Sequence, residues 1–191
     1  NLDKIKIIDA NKYRHISANK IFAVDHPWYH GGYILNQAKN LPEWVIKWIR
    51  HSFLKSASKF NNNDKIFIDR SESKFDHCQL DNNDEVWSFL KNKGFTKYKV
   101  GKLTFEQQIY LFKKAKIIVG AHGAAFANLV FCSPNTKVIE IKPRAHPNYV
   151  SRTFAKINNL NLKIIETQKV QKKKNIKGDI HLSLKELSKN L

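Results

Sequence analysis

The chain has 191 residues, 42% of them hydrophobic and 12% aromatic, enough to fill a real core, which excludes a disordered tail. Thirty-four Lys and Arg against sixteen Asp and Glu give a formal charge of +18, so nucleotide diphosphates, acidic glycans, nucleic acid and anionic membrane faces are the partners to weigh. No run approaches the about eighteen apolar residues of a membrane span, and Cys78 and Cys132 match no zinc or redox spacing and read as reduced structural thiols.

In chain order, short strands are expected over 4–8 and 20–24, followed by a turn-rich stretch over 25–32 where a linker belongs. The sequence contains no methionine and opens directly into the first of these strands, so a piece of a longer protein is expected. From residue 41, Trp44, Val45, Trp48, Ile49 and Phe53 recur at helical spacing and predict a helix to about residue 59, with Trp44, Trp48 and Phe53 as core. Pro42 suits its first turn, and Asn61-Asn62-Asn63-Asp64 ends it.

Strand and helix then alternate. Strand 66–69 leads to helix 84–93, which stops at Gly94, then to strand 97–100 and helix 105–114, opened by a capping box of Thr104 and Gln107. Strand 116–119 runs into Gly120, a short helix covers 124–131, and after the turn at Pro134-Asn135 come strand 137–141, helix 149–157 and strand 162–165. A basic run over 169–177 reads as a solvated charge cluster, followed by Leu182, Leu184, Leu187 and Leu191 on a capped docking helix. Such alternation predicts an α/β fold with a Rossmann-like parallel sheet and flanking helices.

The passage Val119-Gly120-Ala121-His122-Gly123-Ala124 is a strand that passes through small residues into a helix. Unpaired backbone N–H groups at a helix start attract a phosphate when no bulky side chain stands in the way, and His122 could donate to a phosphate oxygen or a sugar hydroxyl. The same residues could form only a tight packing turn with His122 exposed and idle. Arg70 follows a strand at its C-terminal end, where ligands of open α/β sheets bind, and could clamp a diphosphate, or else pair with Glu72 or Asp69 at the surface. Glu140, near another strand end, suits ribose hydroxyls as well as a pairing with Lys142 or Arg144. His26 and His30 flank a turn, but no supporting ligand follows at a metal-site spacing, so no metal site is assigned. Neither a Gly-x-Ser-x-Gly elbow nor a Walker lysine loop occurs.

Taken together, Lys65-Ile66-Phe67-Ile68-Asp69-Arg70, then Leu103-Thr104-Phe105-Glu106-Gln107-Gln108-Ile109, then Val119-Gly120-Ala121-His122-Gly123-Ala124 with Asn128, and Val138-Ile139-Glu140-Ile141 resemble glycosyltransferase family 61. The resemblance implies the C-terminal half of a GT-B-like enzyme that binds a nucleoside diphosphate sugar and transfers the sugar, with inversion, to a glycan or polysaccharide hydroxyl. It implies Arg70 and His122 as catalytic residues on the diphosphate, and Gly120, Gly123, Ala124, Asn128, Glu140 and Gln107 as substrate-binding residues. Where the family carries a second arginine and an Asn-Glu pair, this chain has Phe75 through Glu85, in which Asn82 and Glu85 partly match the pair. No residue stands out as the general base that activates the acceptor.

The expected division is 1–30 as the trailing edge of an acceptor domain and linker, 31–168 as the nucleotide-sugar domain, and 169–191 as basic tail and terminal helix. A hexosyl-, pentosyl- or N-acetylglucosaminyl-transferase is expected, cytoplasmic or peripheral at an anionic membrane surface, with no cofactor firmly implied. The competing readings are a basic nucleic-acid-binding module and a sugar-nucleotide-binding domain without catalysis. Aromatic residues are not interleaved with the basic run as a stacking platform requires, which disfavours nucleic acid as the partner.

Overall fold

The computed structural model describes residues 6, 8–9, 11–21, 41–71, 78–144, 146, 150–167 and 179–191. Five parallel strands form one sheet: β1 (Lys65–Ile68), β2 (Thr96–Tyr98), β3 (Ile117–Ala121), β4 (Lys137–Pro143) and β5 (Asn161–Thr167), in the spatial order β2-β1-β3-β4-β5. From β1 the chain steps outward to β2, then returns past β1 to β3 and continues in the opposite direction. The crevice between the C-terminal ends of β1 and β3 is therefore the topological switch point, where ligands of such sheets bind.

The crossovers between parallel strands place the connecting helices on both faces. Helices α1 (Glu43–Phe53), α3 (Phe105–Lys114) and α4 (Val150–Asn158), with the 3-10 segment Ala124–Phe131, cover one face. Helices α2 (Asn83–Lys91) and α5 (Leu184–Asn190) cover the other. Alternation along the strands feeds both cores: Ile66, Ile68, Ile118 and Val138 point to the first, and Phe67, Val119, Ile139, Ile141 and Ile165 to the second. Each such buried side chain contributes on the order of 1.5–3 kcal/mol.

Local chemistry sets the helix ends. Thr104 and Gln107 form the expected capping box at the start of α3. After α2, Gly94 takes φ 81°, and the bonds from Gly94 N to Lys91 O and from Phe95 N to Leu90 O close the helix in a Schellman motif. Ser183 precedes α5 but makes no side-chain cap, so the expected cap there is absent. Leu182 and Leu187 are nonetheless fully buried, and the C-terminal helix packs on the sheet as expected of a docking helix.

Several expectations need correction. Trp44 and Trp48 are 57% and 58% exposed, whereas Phe53 packs against the core as expected, beside the buried Ile46 and the partly buried Ile49. Two apolar stripes coexist on this helix, and the one with Ile46, Ile49 and Phe53 faces the 3-10 segment Ala124–Phe131 and α4. The helix ends at Phe53 and passes into the 3-10 turn Leu54–Ser56, short of residue 59. Residues 124–131 form a 3-10 helix whose last carbonyls are held by side chains: the Arg50 guanidinium binds those of Val130 and Cys132, and the Asn158 amide those of Leu129 and Val130. Of the strands expected over 4–8 and 20–24, only residues 6, 8, 20 and 21 are described; these four are in no strand, with Ile8 and Ile21 exposed, and the rest of both stretches lies outside the described residues. His26, His30, the linker stretch and the basic run lie outside the described residues. Cys78 and Cys132 are free thiols in the core, and burial pushes the Cys132 thiol well above its ordinary value.

Candidate functional site

Asp69 and Arg70 leave the C-terminal end of β1. Asp69 is buried, and its carboxylate accepts from the backbone N–H and the hydroxyl of Ser71, both at 3.0 Å, with the Lys97 ammonium at 3.9 Å. These contacts form a tight local turn around Arg70 and fix the direction in which its side chain leaves the sheet. The guanidinium crosses to β3, where Nη1 donates to the carbonyl oxygen of His122. Burial pulls the Arg70 guanidinium below its usual value, yet it stays protonated at any physiological pH.

Two glycines allow close packing around this contact. The register sets Ile68, Gly120 and Glu140 side by side on three strands. A Cβ on Gly120 would lie 2.9 Å from the Ile68 Cβ, so Gly120 gives that isoleucine its room. A Cβ on Gly123 would overlap the Arg70 guanidinium, so Gly123 leaves the space the arginine fills. Gly123 has extended backbone at φ 171°, and its role is close approach rather than an unusual conformation.

His122 is held on three sides. Its backbone N–H donates to Ile141 O at 2.7 Å, continuing the β3–β4 ladder, and its carbonyl receives Arg70. Its Nδ1 lies 2.5 Å from Glu140 Oε1, and the same oxygen accepts from the Ser151 hydroxyl at 3.0 Å. The His146 ring packs at 4.3 Å between centroids. His122, Glu140 and Ser151 are 6%, 2% and 4% exposed, so the ring is neither exposed nor idle. Glu140 pairs with His122 and Ser151 rather than with Lys142 or Arg144, while the buried Lys142 ammonium donates to His146 O and lies 3.7 Å from Glu166.

Beside Arg70, a cavity of about 120 Å³ opens at the switch point, lined by Arg70, Ser71, Gln79, Asn83 and Ala121 among others. Pockets for whole small molecules are typically about 300–1,000 Å³, so this space suits a phosphate-sized group with the rest of a ligand lying over the sheet edge. Ser71, Gln79, Asn83 and Ser151 were not singled out in the sequence; only the proximity of Ser71 to Arg70 could have pointed to one of them.

The predicted site residues divide into two sets. Arg70, Gly120, His122, Gly123 and Glu140 come together at the crevice, and Ala124 opens the 3-10 segment beside them. Gln107 uses its side chain in the α3 capping box, and the Asn128 amide donates to Gln108 Oε1 and Ala125 O. Asn82 and Glu85 bond to each other at the start of α2, and Asn82 also donates to Leu182 O, which ties the C-terminal segment to the domain. Among the described residues no cluster of three or more His, Cys, Asp or Glu could hold a metal ion, and no helix is long and apolar enough to cross a membrane.

A comparison with curated proteins finds no match. The family model described as Glycosyltransferase 61 matches residues 9–139, which takes in β1, Arg70, the capping box and the turn at His122. That span is more than half of the chain and carries the strand ends that meet at the crevice, and the protein belongs to glycosyltransferase family 61.

Proposed function

We propose that this glycosyltransferase binds the diphosphate of a nucleoside diphosphate sugar at the β1–β3 crevice and transfers the sugar, with inversion, to a hydroxyl of a glycan or polysaccharide. The observation that carries this reading is the meeting of Arg70 with the His122 turn at the switch point, beside a phosphate-sized cavity. Arg70 lines that cavity, so a phosphate entering it meets a cation that is already partly desolvated and oriented. Charge that grows on the leaving phosphate is neutralised there without reorganising solvent. Backbone N–H groups at the start of the 3-10 segment, next to Gly123 and Ala124, add partial positive charge from the other side.

Donor identity, whether hexosyl, pentosyl or N-acetylglucosaminyl, follows from contacts outside the cavity. In this reading the chain contributes the donor half of a GT-B-like pair of domains, with residues 1–30 at the edge of an acceptor domain. Activation of the acceptor hydroxyl falls to a base outside the crevice residues described above.

Calorimetry with uridine, guanosine and cytidine diphosphates tests this directly. At least one is expected to bind with an affinity better than about 1 mM, and no binding to folded protein removes the proposal. Competition by duplex DNA with steep salt dependence, and none by nucleotides, would support a basic nucleic-acid module, for which the +18 charge is the only ground.

A further inference from the structure

Ser151 stands on α4, Glu140 on β4 and His122 at the end of β3, and the three form one buried chain of polar contacts, at 3.0 Å from Ser151 Oγ to Glu140 Oε1 and 2.5 Å from Glu140 Oε1 to His122 Nδ1. Glu140, His146 and Ser151 all lie beyond the stretch matched by the family model. Burying a carboxyl, an imidazole and a hydroxyl together costs free energy unless each finds a partner, and an apolar trio of similar size would pack without that cost. The chain therefore has a purpose other than filling the core.

Its geometry identifies that purpose. The ring of His122 points into the fold while its carbonyl points out to Arg70, so the residue is a bracket between a buried anchor and the crevice. The Ser151 hydroxyl fixes one rotamer of the Glu140 carboxyl, and that carboxyl accepts the Nδ1 proton of His122 and sets the tilt of the ring. His146 closes the ring's open side at 4.3 Å, and its own carbonyl is held by Lys142. A bracket fixed in this way leaves the turn 120–124 one position relative to Arg70.

We propose that Ser151 and Glu140 are positioning residues that act through His122 to hold the turn against Arg70 and so set the affinity of the crevice for a diphosphate. The inference rests on the reading of the crevice as a donor-phosphate site.

The test uses the full chain with uridine diphosphate as probe, or whichever nucleoside diphosphate binds most tightly, and follows two signals. One is the dissociation constant; the other is the nitrogen-bound proton of the His122 imidazole in ¹⁵N-edited NMR, assigned by its loss in His122→Asn. Ser151→Ala is expected to speed exchange of that proton with water and weaken binding on the order of three- to tenfold. Ser151→Thr, which keeps the hydroxyl, is expected to restore both signals, and Lys156→Ala on the exposed face of α4 to change neither. If Ser151→Thr does not fold, Glu140→Gln, which keeps an oxygen for both donors, is the conservative variant to compare with Glu140→Ala. Unchanged affinity in folded Ser151→Ala overturns the inference, as does a loss that no conservative variant restores. If the wild-type protein binds no nucleoside diphosphate, the donor-site reading fails, and an unperturbed His122 proton in Ser151→Ala then overturns the positioning role as well.

Discussion

The two ends of the sheet use the same kinds of side chain in opposite ways. Where the strands begin, Asp64 and Lys116 form an ion pair at 2.9 Å with side chains 40% and 78% exposed. Where they end, Asp69, His122, Glu140 and Lys142 are each less than a tenth exposed and tied into hydrogen bonds. The first arrangement costs the fold almost nothing and contributes little. The second removes charged and polar groups from water, which hydrogen bonds offset at best, so stability alone does not account for it. One end is surface; the other is built to present Arg70 and a turn in a fixed relation.

The largest expected effect that sharpens this contrast is at Arg70. Arg70→Ala removes a charge-assisted contact worth about 1.5–3 kcal/mol, a loss of roughly ten- to over a hundredfold in nucleotide affinity by calorimetry. Its thermal midpoint should change far less than its affinity. Next is Gly123→Ala, whose new methyl occupies the place of the guanidinium. Because the overlapping atoms are the far end of a flexible side chain, the backbone need not move, and the expectation is a folded protein with Arg70 displaced and affinity lowered about five- to tenfold. An unaltered dissociation constant would mean that the arginine acts from another position.

The smallest effect belongs to the other end. The Lys116 ammonium, hydrogen-bonded to Asp64, holds that carboxyl below its usual value and is itself held above its own. The pair's small contribution is therefore present at neutral pH, lost as pH falls through the lowered Asp64 value, and lost again as pH rises through the raised Lys116 value. Asp64→Asn is expected to shift the thermal midpoint by less than about 2 °C and leave nucleotide binding untouched. A clear loss of affinity in that variant would break the division between the two ends.

Legibility in the sequence follows the range of each interaction. The capping box at Thr104 and Gln107 and the stop at Gly94 were readable because each is closed within a few residues. The β-strands of the sheet were readable from short apolar runs between turn residues, and the parallel sheet from their alternation with helices. Helix α1 presented two apolar stripes, and nothing local tells which of Trp44 and Ile46 turns to a core still unformed. The end of the 3-10 segment Ala124–Phe131 is held by Arg50 and Asn158, which are distant in sequence. At the crevice, Arg70 and the His122 turn could be set on one edge of the sheet because both follow strand ends. The pairing of Glu140 with His122 and Ser151 could not, since it requires the strand register and the seating of α4.

The most direct measurement is a crystal structure of the protein with the nucleoside diphosphate it binds best. The account predicts both phosphates at the C-terminal ends of β1 and β3, one within hydrogen-bonding distance of the Arg70 guanidinium and the other against the backbone N–H groups at Gly123 and Ala124. A diphosphate bound away from this crevice, with Arg70 still resting on the His122 carbonyl and no phosphate near either, would contradict it.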